Sequence, residues 1–127
     1  MNVLFDSQAL IDWMMGKRFR PAVRRAIERS GTDVFISVIT PWEMLLKPQL
    51  RKFGITTEKL WGAVGTLGAN ILPVRKEHVQ MHADLPFYPE HRDPFDRMLV
   101  AQAIVENLTM VGGDMRFELY RDLKVLW

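Results

Sequence analysis

The run Val34-Phe35-Ile36-Ser37-Val38-Ile39-Thr40-Pro41-Trp42-Glu43 decides the fold class. Val34 to Ile39 is apolar and β-branched almost throughout, the pattern of a strand covered on both faces, as in a parallel sheet. Thr40 then reads as a helix N-cap, Pro41 as the first helical residue, and Glu43 stands at capping-box spacing. A buried strand that passes straight into a helix is the repeating unit of a parallel α/β sheet. Glu43 carries two readings. It is a reciprocal cap for Thr40, or an acid presented just past the carboxyl end of a buried strand.

The same unit recurs on either side. Val3-Leu4-Phe5 is a short buried strand ending in Asp6, and Ser7 opens a helix with Leu10, Ile11, Met14 and Met15 at helical spacing, closed at Gly16. Asp6 either caps that helix or serves as a ligand at the strand end, where open α/β sheets bind. Pro21 to Arg29 is a second helix, ended by Ser30-Gly31. Lys47-Pro48 ends or kinks the helix that begins at Thr40. Thr56 or Thr57 caps another, with Leu60, Trp61 and Val64 behind it. Ile71-Leu72-Pro73-Val74 is a third strand, placed by its proline at an edge or a bulge. Lys76 to Ala83 is helical, and Pro86 to Pro89 is an extended loop. Leu108-Thr109-Met110-Val111 is a fourth strand, and Gly112-Gly113 is expected to turn the chain sharply and present Asp114. Phe117 and Leu119 pack a short helix or turn, and Lys124 to Trp127 offers a final strand. The expectation is one domain over 1–127, a three-layer α/β/α fold with a mainly parallel sheet of four to five strands and right-handed crossovers.

Charge is concentrated at His91-Arg92-Asp93-Pro94-Phe95-Asp96-Arg97, the mouth of an almost wholly apolar helix that runs to Val105. Asp93 is a good N-cap and Pro94 suits the first helical position. Asp96 falls at the third helical position, near the positive end of the helix dipole.

Composition narrows the function. A chain of 127 residues with 48% hydrophobic and 25% charged residues is an ordinary globular domain. With no cysteine, disulfides, thiolate catalysis and cysteine-ligated zinc are excluded. No apolar run approaches the ~20 residues that cross a bilayer. The first residues do not read as a signal peptide, so a cytoplasmic protein is expected. The net charge of +2 is weak evidence, but Lys17, Arg18, Arg20, Arg24, Arg25 and Arg29 cluster, opposed locally only by Glu28. Such a cluster can track a phosphate backbone or face an acidic protein. His78, His82 and His91 invite a metal reading, and His78 and His82 are spaced to share a helix face, yet no third ligand has a recognisable spacing, which argues against a histidine zinc site.

Asp6, Glu43 and Asp114 each follow a strand at its carboxyl end. In a parallel sheet those ends share one edge, and Asp96 enters the same crevice from its helix. Four gathered carboxylates repel one another, and a divalent hard cation resolves the repulsion. Oxygen-only ligands favour Mg2+ or Mn2+, ions that support phosphodiester hydrolysis.

These residues resemble those of PIN-domain ribonucleases, in particular toxins of VapBC-type toxin–antitoxin pairs. The resemblance covers nearly the whole chain. It rests on Leu4-Phe5-Asp6-Ser7-Gln8-Ala9-Leu10, on Ser37 through Trp42-Glu43-Met44, on Asp114-Met115-Arg116-Phe117 and, most specifically, on His91 through Ala103. It implies that Asp6, Glu43, Asp96 and, more variably, Asp114 bind Mg2+ or Mn2+. It further implies that Ser7 holds the site through its hydroxyl, that Asp93 caps or supports, and that Arg97 orients a carboxylate or contacts substrate. An RNA substrate, an antitoxin partner and a homodimer follow from the same resemblance. Lys17, Arg18 and Arg92, with Lys47 and Arg51, are candidates to hold the RNA backbone. Two departures stand out. Gln8 replaces the usual histidine, and Gly112-Gly113 replaces the usual threonine-arginine, which removes a positive charge beside Asp114. The rival readings are a non-catalytic nucleic-acid-binding or regulatory module, a response-regulator-like phosphoacceptor, for which no partner lysine follows a strand, and a structure-specific DNA nuclease, for which the usual extra elements are absent.

Overall fold

A computed structural model describes residues 1–48, 52 and 54–127. Arg51, one of the candidate backbone contacts, lies outside the described residues. Five strands form one sheet: β1 (Val3–Phe5), β2 (Val34–Ser37), β3 (Asn70–Leu72), β4 (Thr109–Val111) and β5 (Lys124–Leu126). The helices are α1 (Ser7–Met14), α2 (Pro21–Glu28), α3 (Ile39–Leu46), α4 (Thr57–Leu67), α5 (Lys76–Asp84) and α6 (Pro94–Val105), with a 3-10 helix over Met115–Leu119.

All four strand pairings are parallel, in the order β3-β2-β1-β4-β5. The third strand is at an edge as expected, but it ends at Leu72, so Pro73 follows the strand and does not sit in it. Strand order reverses direction around β1, so the crevice between the carboxyl ends of β1 and β4 is the topological switch point, where such sheets bind ligands.

Period-2 alternation divides the core. Val3 and Phe5 pack on one face with Leu10, Val23, Met44, Leu60 and Val64. Leu4 packs on the other with Leu99, Val100, Ala103, Met110, Phe117 and Tyr120. The result is the expected three-layer arrangement, with α6 fully buried along Leu99, Val100 and Ala101.

Local signals mostly place the helix ends. Asp93 caps α6 through Oδ1, accepting from the N–H groups of Phe95 and Asp96. Thr56 caps α4, which ends at Gly68 in the left-handed region at φ +69°. The exception is α3, which starts at Ile39, with Val38 as a helical N-cap residue that has no side-chain cap. Strand β2 is therefore shorter than its apolar run, and Thr40 lies inside the helix, buried, its Oγ1 without a hydrogen-bond partner. The Thr40–Glu43 capping box does not form, because the helix starts two residues early.

Candidate active site

A cleft of about 560 Å³ opens at the switch point, lined by Asp6, Ser7, Glu43, Asp93, Asp96 and Asp114, with Lys47, Arg116 and Trp127 at its walls. The acids come from the ends of β1 and β4, from α3 and from the start of α6. The structure thus brings all four candidate ligands to one place.

Asp6 has two duties. Its Oδ1 accepts from Ala9 N–H at 2.7 Å and caps α1, while its carboxylate leans on Gly112. A Cβ on Gly112 would stand 2.7 Å from Asp6 Cγ, so only glycine admits the carboxylate there. Gly113 has a different neighbour: a Cβ there would meet the Trp127 indole at 2.6 Å. Neither glycine has positive φ among the described backbone. The expected reason for the pair, a sharp turn, is replaced by close approach.

Glu43 is buried and accepts a short hydrogen bond from the Ser7 hydroxyl. Freed from Thr40, it turns into the cleft, and Lys47 Nζ lies 3.8 Å from its Oε2. Lys47 was a candidate backbone contact; its structural partner is a site carboxylate. Glu43, Asp93 and Asp96 offer oxygens within 4.8 Å of one another, and a ring nitrogen of His91 lies within the same distance of oxygens of Asp96 and Asp114.

The electrostatics follow from burial. Desolvation pushes Asp6 up to about 7, helped by the nearby charges of Asp114, Asp12 and Glu43 and opposed by the Ala9 hydrogen bond. Desolvation likewise pushes Asp96 up to about 7, with Asp93, Glu43, Asp6 and Asp114 adding repulsion. Asp114 behaves oppositely: hydrogen bonds from Arg116 hold it below the usual carboxylate range. Arg116 Nε and Nη2 grip both oxygens of Asp114 at 2.6–3.1 Å. The guanidinium missing at Gly113 is therefore supplied two residues after Asp114 instead of directly before it.

The supporting residues are distributed unevenly. Asp93 lines the cleft but spends Oδ1 on the helix cap. Among the described residues Arg97 touches no carboxylate; it donates to the carbonyls of Pro86 and Leu85 and to the Tyr120 hydroxyl. Arg92 lies outside the cleft, donating to Pro89 O and stacked over Phe87. Lys17 and Arg18 line a neighbouring cleft of about 250 Å³ with Arg20, and Trp127 lines both clefts. Asp12 lies 3.5 Å from Lys17, so Glu28 is not the sole acid in that basic region. His78 is tied to Arg75 N–H and to Glu106, remote from the acids. Two contributors escaped sequence reasoning, Arg116, quoted only inside a motif, and Trp127, seen only as a strand end; His91, which invites a metal reading, stands 3.6 Å behind Asp96. Arg116 acts on Asp114 only two residues before it, so its signal was local, whereas Trp127 reaches the cleft through packing that no local pattern marks.

A parallel α/β domain with an acidic cleft at its switch point is the class defined by this geometry. The family model described as PIN domain matches residues 3–123, and the chain belongs to that family. A search of the curated proteins finds no match. Among solved structures, the chain is similar to VapBC2 from Rickettsia felis, solved bound to a promoter DNA fragment, with TM-score 0.75 at 14% identity, over 100% of this chain and 99% of that one. It is also similar to a toxin–antitoxin complex from Klebsiella pneumoniae, with TM-score 0.66 at 21% identity over 98% and 96% of the two chains. FitAcB from Neisseria gonorrhoeae gives TM-score 0.62 at 21% identity over 100% and 97%. At such identities the likeness speaks for the fold.

Proposed function

We propose that this PIN domain is a divalent-cation-dependent endoribonuclease and the toxin of a VapBC-type pair. The observation that carries the reading is the convergence of acids from four separate chain segments on one cleft, two of them pushed up to about 7. Burying carboxylates together is unfavourable unless a cation compensates. An oxygen-only donor set of Asp6, Glu43 and Asp96, with Asp114 assisting, suits Mg2+ or Mn2+. When bound, the cation supplies Lewis acidity, offsetting charge on the phosphoryl oxygens and acidifying water. The chain's own part is positional. Ser7 orients Glu43, the Ala9 N–H orients Asp6, and Arg116 orients Asp114.

RNA is the proposed substrate. The Lys17–Arg18–Arg20 cleft, joined to the acidic one across Trp127, gives a strand's phosphates a cationic track leading to the acids. An antitoxin partner is supported by similarity to chains solved as toxin–antitoxin complexes. A homodimer and a cytoplasmic location belong to the same proposal; no helix among the described residues is long and apolar enough to cross a membrane.

The test is cleavage of total RNA by purified protein with Mn2+ and with EDTA, beside Asp96→Asn. Cleavage should need the cation and fall at least about a hundredfold in the variant. Undiminished cleavage by folded Asp96→Asn would sink the assignment. RNA binding without cleavage would favour a non-catalytic binding module.

A further inference from the structure

Arg97, Tyr120 and His91 form a chain that ends on Asp96. Arg97 Nη1 donates to the Tyr120 hydroxyl at 3.1 Å, and that hydroxyl lies 2.7 Å from His91 Nδ1. A guanidinium only donates, so Arg97 occupies a lone pair of the hydroxyl. The phenolic hydrogen then needs an acceptor, and among the described residues His91 Nδ1 is the one within hydrogen-bond distance. With Nδ1 accepting, the hydrogen of the neutral imidazole sits on Nε2.

Nε2 is buried, has no hydrogen-bond partner, and lies 3.6 Å from Asp96 Oδ2. The ring is held by edge contacts with Phe117 and Tyr120, whose centroids stand 5.7 and 5.4 Å away. Turning it over would set a C–H against the Tyr120 hydroxyl. Arg97 is itself anchored on Pro86 O at 2.9 Å. The hydrogen-bond chain is therefore set by Arg97 on the first turn of α6, by the loop before that helix and by Tyr120 at the end of the 3-10 helix.

We propose that His91 is a positioning residue: Arg97 and Tyr120 fix its Nε2–H toward Asp96 Oδ2, and this donor decides which oxygen of Asp96 is left for the cleft. The 3.6 Å separation is longer than a hydrogen bond, and a small rotation of the carboxylate closes it. His91 does not line the cleft, and a protonated Nε2 is no ligand, so its action on a cation runs through Asp96. The proposal rests on the reading of Asp96 as a ligand, but the tautomer can be measured without any cation.

The experiment has two arms on the full chain. Long-range 15N correlation spectra of the imidazoles, with His91 assigned by loss of its signals in His91→Gln, should show a bare Nδ1 and a protonated Nε2. In Tyr120→Phe that single tautomer should be lost. Calorimetric Mn2+ titration should show His91→Met, which keeps bulk but has no donor, about tenfold weaker than wild type. His91→Gln, whose amide N–H can stand near the Nε2 position, should recover most of that loss. A wild-type Nδ1–H tautomer, or His91→Met with unaltered Mn2+ affinity, overturns the proposal. A wild-type protein that binds no Mn2+ overturns the cation reading of the cleft instead, and the tautomer still decides the hydrogen-bond chain.

Discussion

Gly112 and Asp6 are coupled by contact across the switch point. The last residue before the β4 turn has no side chain because the Asp6 carboxylate and the Phe117 ring fill that space, the latter 3.1 Å from where a Cβ would stand. Gly112→Ala should therefore displace Asp6 while leaving every carboxylate in place. The expected result is a cleavage rate lower by about a hundredfold, since misplacement of about 1 Å has that cost, with Mn2+ affinity falling in parallel. A rate-against-Mn2+ series on a labelled RNA measures both; an unchanged series would show that Asp6 tolerates the shift. The glycine pair was visible in the sequence as a departure from the family pattern. Its reason was not, because the groups it accommodates, Asp6 beside Gly112 and Trp127 beside Gly113, come from the end of the first strand and from beyond the last, outside the reach of a local pattern.

Helix α6 joins two acids of different duty on its first turn. Asp93 satisfies two otherwise unpaired N–H groups, and Asp96, three residues on, projects to the cleft. Asp93→Ala should cost about 1 kcal/mol of stability, whereas Asp93→Asn, an equally good cap, should cost only a few tenths. Urea unfolding of the two variants checks this, and equal losses would mean that the carboxylate charge matters more than the cap. The start of this helix was legible because capping is chemistry between near neighbours. The start of α3 was not. A good N-cap, Thr40, was available, yet the chain turns at Val38, and Ser7 from another segment takes the hydrogen bond to Glu43 that a capping box would have provided locally.

For the molecule as a whole, the buried acids tie stability to pH. Asp6 and Asp96 stand at about 7 in the folded protein against 3.8 for a free aspartate carboxyl. Between about pH 4 and pH 7 the folded state holds protons that the unfolded chain has released, so these groups lower stability as pH rises through that window, and the loss levels off above it. His82 and His91, held by burial below their usual range, work the other way at acidic pH. The carboxylate contribution is therefore read as a difference. In EDTA, wild type should lose stability relative to Asp96→Asn as pH goes from about 4 to about 7. Mn2+ should raise the melting temperature of wild type more at pH 7.5 than at pH 5.5, because protons compete for the same oxygens. Parallel pH profiles for the two proteins would contradict the burial of Asp96 as an acid.

The amino-acid sequence by itself determined the alternation of buried strands and helices, the parallel sheet with its third strand at an edge, and the acids Asp6, Asp96 and Asp114 near element ends. Each of these is written in local periodicity, capping and turn chemistry, which neighbours along the chain decide. Tertiary structure alone decided which distant groups meet the acids: Ser7 on Glu43 and Gly112 under Asp6, whereas Arg116 on Asp114 is a contact between near neighbours. It also placed His91 behind Asp96 and Trp127 between the two clefts. Those contacts come from strand order and helix packing. The physical reason is range: hydrogen bonding at a helix end is settled within one turn, whereas desolvation and carboxylate repulsion depend on every segment that reaches the switch point.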